Sequence, residues 1–62
     1  MGDNRNEIKE ARLQKLWSQA DLSKKANLSI RTVARVENGE TCSEITMRKI
    51  AQALTMKLED LF

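Results

Sequence analysis

The chain has 62 residues, 11 basic and 9 acidic, with no histidine, no proline and a single cysteine. That length allows one domain (1–62), the lone Cys42 rules out an internal disulfide and, with no histidine, argues against a zinc site, and no cofactor is expected. The net charge of +2 is unevenly spread: residues 1–17 carry net +1, residues 18–36 carry net +3 from Lys24, Lys25, Arg31 and Arg35 against Asp21, and residues 37–62 carry net −2.

No period-two apolar pattern marks a strand, whereas helix signals recur, and five helices are predicted at about 4–15, 19–26, 30–38, 44–54 and 57–61. The first has a poor apolar face. Ile8 and Ala11 share it with Arg12 and Lys15, and Leu13 points elsewhere. The second is opened by "SQAD", in which Ser18 and Asp21 have capping-box spacing with Asp in place of Glu. It ends at Ala26-Asn27-Leu28, where Asn27 tolerates the left-handed conformation a sharp turn needs. Ser29 starts the third helix and Asn38-Gly39 stops it. Val33 and Val36 bury one stripe of it, while Arg31 and Arg35 stand on the opposite face and Ile30 sits at the tip. The fourth begins at Ser43, has Glu44 in its first turn where the helix dipole favours an anion, and carries Met47, Ile50, Ala51 and Leu54 on one face. The fifth puts Leu58, Leu61 and Phe62 together.

Helices this short are unstable alone and must pack on one another. A chain of this size buries only about 60% of the surface it exposes when unfolded, so a tightly packed monomer or a dimer is expected. A short helix, a three-residue turn and a second capped helix form a helix-turn-helix pattern over about 18–38. With the positive middle third, that pattern suits a polyanion, although the same spacing occurs in proteins that bind no DNA. No apolar run approaches the ~20 residues of a membrane span, and no signal-peptide pattern precedes the first helix, so a soluble cytoplasmic protein is expected. No acid–base or nucleophilic constellation is present, and an enzyme is not expected.

The run "WSQADLSKKANLSIRTVARVENG" (17–39) resembles the helix-turn-helix of the Cro and lambda-repressor family, also called the XRE family. Ser18, Gln19, Leu22, Leu28, Ser29, Thr32, Val33, Arg35, Glu37, Asn38 and Gly39 fit its motif without a gap. "TMRKIAQALTMKLEDLF" (46–62) is similar to its last two helices. There are departures. Leu16, Asn27 and Thr55 stand where the family often has Gly, Ser23 replaces a small Ala at the helix crossing, Lys57 replaces a Ser or Thr cap, and the loop after Gly39 lacks a Pro.

The resemblance implies an all-α, compact five-helix lambda-repressor-like fold that binds double-stranded DNA as a transcriptional regulator, as a homodimer on an inverted-repeat operator. It puts the third helix in the major groove with its N-terminal end leading. Arg31 and Arg35 then read bases and Ile30 packs on a thymine methyl. Arg35, one turn back, reaches a base edge or only a phosphate. Gln19, Ser29, Thr32, Asn38 and Thr41 hold phosphate and position the protein, Ser29 being first of all a cap. The resemblance also pairs Arg12 with Glu37, each at the edge of an apolar face, where an unpartnered charge is costly. It assigns the dimer interface to Leu58, Leu61 and Phe62. Trp17 reads as a core anchor, Cys42 as an ordinary loop thiol, and Lys24 and Lys25 as a solvated edge. Two rivals stand beside this reading: an antitoxin of the same fold that binds a toxin protein, and a protein-interaction module with no DNA role. A longer parent chain with an effector domain is a third possibility.

Overall fold

The computed structural model describes residues 5–61, and among them all regular structure is helical: α1 (Arg5–Gln14), α2 (Gln19–Ala26), α3 (Ile30–Glu37), α4 (Glu44–Leu54) and α5 (Leu58–Leu61). Three serines start helices in the same way. Ser18, Ser29 and Ser43 each have extended backbone and accept a hydrogen bond from the N–H three residues on, at Asp21, Thr32 and Thr46. At Ser18 the exchange is reciprocal, because the Asp21 carboxylate accepts from the Ser18 N–H at 2.9 Å.

The helix ends share one device as well. Leu16, Asn27, Gly39 and Thr55 all have positive φ, between 58° and 95°. The N–H of the following residue then returns to the carbonyl five positions back: Trp17 to Arg12, Leu28 to Ser23, Glu40 to Arg35 and Met56 to Ala51. This is the Schellman stop, for which glycine is the usual residue. It explains the small boundary differences. The left-handed Leu16 stops α1 before Lys15, and Asn38 caps α3 instead of belonging to it. At α5 Lys57 precedes the helix and accepts from the Asp60 N–H through its carbonyl.

The core comprises Ile8, Ala11, Leu22, Ala26, Val33, Val36, Ile50, Ala51, Leu54 and Leu61, with Trp17, Leu28, Cys42, Ala53, Met56 and Leu58 packed against it. α2 packs on α3 and α4, and α1 lies across α3, α4 and α5. Ser23 sits buried at this centre, and its hydroxyl donates to the Ala20 carbonyl at 2.7 Å, so it needs no outside partner. Leu61 is 0% exposed within the protomer. Closing the core beneath α1 and α4 takes the whole side chain, which leaves none of it on the protomer surface. Leu58 is half-buried, and Phe62 lies outside the described residues.

Candidate nucleic-acid interface

α3 has two unlike faces. Val33 and Val36 are 0% and 2% exposed and point into the core, whereas Ile30 is half exposed and Arg31 and Arg35 lie in solvent. A 3.6-residue period with Val at 33 and 36 leaves 31 and 35, four apart, together on the far side. Arg31 has no ion-pair partner among the described residues. Arg35 does: its Nε donates to Glu40 Oε1 at 2.9 Å.

The α2–α3 geometry is locked by a buried polar network. Arg12 Nε donates to Glu37 Oε2 at 2.7 Å and a second guanidinium nitrogen donates to Oε1 at 3.1 Å, with the two side chains only 8% and 4% exposed. The remaining guanidinium nitrogen donates to the Trp17 carbonyl at 2.9 Å. Gln19 Nε2 donates to Glu37 Oε1 at 3.1 Å. The end of α1, the start of α2 and the last turn of α3 thus meet on one carboxylate. Bidentate Arg–carboxylate pairing fixes orientation as well as distance. Gln19 therefore braces α3 directly, and keeps one amide N–H for another acceptor.

The other expected phosphate contacts divide. Ser29 and Thr32 bond each other through their hydroxyls at 2.9 Å, so both are first of all parts of the α3 cap. Asn38 is exposed at the helix exit. Thr41 lines a cleft of about 220 Å³ with Thr32, Arg35, Val36, Cys42, Ser43 and Thr46. Ser43 and Thr46 were not singled out for this face. Their capping pattern is visible in the sequence, but the return of the α4 N-terminus beside α3 is not. Glu40 was missed too, although its place just past Gly39 is the signal that finds it.

At the far side of α2, the ammonium groups of Lys15 and Lys25 stand 5.4 and 5.6 Å from the Trp17 ring centroid, within cation–π range. Asp21 is held below its ordinary pKa, chiefly by the Ser18 N–H, then by the Ser18 hydroxyl, with Lys24 and Lys25 adding smaller effects. No group of acidic, histidine or cysteine side chains among the described residues is arranged to hold a metal. No helix among them is long and apolar enough to cross a membrane.

A family model described as Helix-turn-helix matches residues 8–61. The chain is 34% identical over 59 residues to the uncharacterized HTH-type transcriptional regulator YgzD of Bacillus subtilis (strain 168), an alignment covering 94% of this chain and 89% of that relative. No solved structure matches it. The match runs through all four major helices and the geometry just described, and the chain belongs to the XRE-type helix-turn-helix family of DNA-binding regulators.

Proposed function

We propose that the domain recognises a specific duplex sequence by laying α3 in the major groove, Ile30 end first, and that two copies act together on an inverted repeat. DNA-binding transcription regulation is the family's function. The observation that carries the finer reading is the outward stripe of α3, where Ile30, Arg31 and Arg35 are exposed behind a fully buried Val33 and Val36. A groove about 12 Å wide admits one helix, and it offers guanine acceptors to Arg31 and Arg35 and a thymine methyl to Ile30. The Gln19 side chain at the start of α2 takes one phosphate, and the hydroxyls of Thr41 and Thr46 take the next. The chemistry is recognition alone.

For the pair of copies, the α5 end remains the proposed contact, through Leu58 among the described residues. Selection from a randomised duplex pool tests the whole reading. The expected result is an enriched palindrome. A pool that stays random, with no salt-dependent duplex affinity, sinks it.

A second reading is favoured by Leu13, Leu16 and Ile45, which are 50%, 90% and 67% exposed. Side chains this open are available to a protein partner, as an antitoxin's toxin would be. On that reading Leu13→Ser and Ile45→Ser release a protein copurified from the native cell and leave duplex affinity unchanged. If both variants keep that protein, the antitoxin reading fails.

A further inference from the structure

The stop of α3 brings one acidic side chain into the base-reading face. Gly39, at φ 95°, turns the chain, and the Glu40 N–H bonds back to the Arg35 carbonyl at 3.1 Å. In a Schellman stop these two positions lie side by side, and usually an apolar contact joins them. Here the contact is ionic: Arg35 Nε to Glu40 Oε1, 2.9 Å. The meeting is thus built by the backbone and is not a chance encounter of two flexible side chains. Both side chains are well exposed, at 63% and 51%, so the pair contributes little to folding. Its effect falls on the guanidinium. One of five donors is taken, the choice of rotamers is narrowed, and the four hydrogens on the two terminal nitrogens are not used by Glu40. Those two nitrogens form the end-on fork that matches guanine O6 and N7. Arg31 has no such support among the described residues. A carboxylate beside phosphate also repels DNA of every sequence, which weakens general affinity while the correct base restores it.

We propose that Glu40 is a positioning residue for base recognition, holding Arg35 end-on to one guanine and lowering affinity for unrelated DNA. This rests on the groove-binding reading above. The test uses wild type, Glu40→Ala, Glu40→Gln and Arg35→Ala against a panel of single-base changes in the selected duplex and against unrelated duplex, at two salt concentrations. Glu40 is exposed, so the variants keep the fold, which circular dichroism verifies. Arg35→Ala should erase preference at one base position by about 5- to 150-fold, the range of one good bidentate contact. Glu40→Ala should lose a large part of that same preference, bind unrelated duplex more tightly, and cause no further loss in an Arg35→Ala background. Glu40→Gln, which still accepts a hydrogen bond, should recover part of the preference. If Glu40→Ala changes affinity for every duplex by one common factor, Glu40 acts only through its charge and the positioning role is wrong. If Arg35→Ala leaves all base preferences intact, Arg35 holds phosphate and the proposal also fails. A wild type without any base preference overturns the groove-binding reading itself, an outcome distinct from both.

Discussion

Arg12 is the side chain whose replacement should be felt furthest. It is buried with Glu37, and an uncompensated buried charge costs about 3–5 kcal/mol, a large share of the stability a domain of this size holds. Arg12→Met or Glu37→Leu alone should therefore unfold at much lower urea, whereas the double substitution should recover much of the loss, because similar-sized apolar residues often replace a buried pair at little cost. Urea melts of the four proteins check this, and single effects that add within about 0.5 kcal/mol would show that the pair is uncoupled. On the outward face of α3, if the proposed groove contact holds, Arg31→Ala should weaken the preferred duplex by ~1–3 kcal/mol and relax one base position. Gln19→Ala should lower affinity for all duplexes by a similar factor, and because Gln19 also donates to Glu37 it should lower stability as well. Binding of both variants to single-base operator changes separates them. An Arg31→Ala variant that loses the same factor on every sequence would make Arg31 a phosphate contact.

At the scale of the helices, the serine caps were legible because Ser18, Ser29 and Ser43 announce themselves three residues before a bonded N–H. The apolar periodicity of α4 was equally plain. α1 was harder: its buried stripe includes Arg12, which hydropathy counts as surface, and only Glu37, 25 residues away, makes that burial sensible. The stops were half legible. Asn27 and Gly39 suit a left-handed φ, but Leu16 and Thr55 do not, and a β-branched residue there is a true outlier. Thr55→Gly should raise stability by roughly 0.5–1 kcal/mol, since relief of about 1–2 kcal/mol of left-handed strain exceeds glycine's entropic cost. In a domain this small that is about 4 °C or more in melting temperature, readable by calorimetry. A lower melting temperature would mean that the Thr55 side chain contributes more than its backbone costs. The α2 cap adds a pH signature. The Asp21 pKa is depressed below the ordinary 3.8, so its contribution is present above that value and lost as pH falls through the folded-state value. The stability gap between wild type and Asp21→Asn should be open near neutrality and closed in strong acid. A gap that does not change with pH would mean that the carboxylate's charge is not what the cap uses.

For the whole molecule, net charge says little and its arrangement says more. The sequence shows a middle third of net +3 and a last third of net −2. Only the fold shows that Arg35 lines one cleft with Thr41, Ser43 and Thr46, or that Glu40 from the acidic third pairs with it there. Adjacency across a turn of unknown direction has no periodic signature, which is why spacing does not place Ser43, Thr46 and Glu40 beside Arg35. The burial of Leu61 is not legible in the sequence for a similar reason: an amphipathic α5 looks the same whether its apolar side closes its own core or a partner's. DNA itself supplies a test of that arrangement. Half-sites read by a two-fold dimer lie about one helical turn, ~34 Å, apart on one side of the duplex. Lengthening the spacer of the selected palindrome by about five base pairs turns one half-site to the opposite side. A linked pair of domains should then lose most of its advantage over a single half-site. The slope of log affinity against log salt should fall to about half its value on the intact palindrome, because only one domain's phosphate contacts still release counterions. Affinity and salt slope measured by fluorescence anisotropy on the intact, lengthened and half-site duplexes decide the matter. If the lengthened duplex binds two copies as tightly as the original, the domains bind independently and the homodimer reading is wrong.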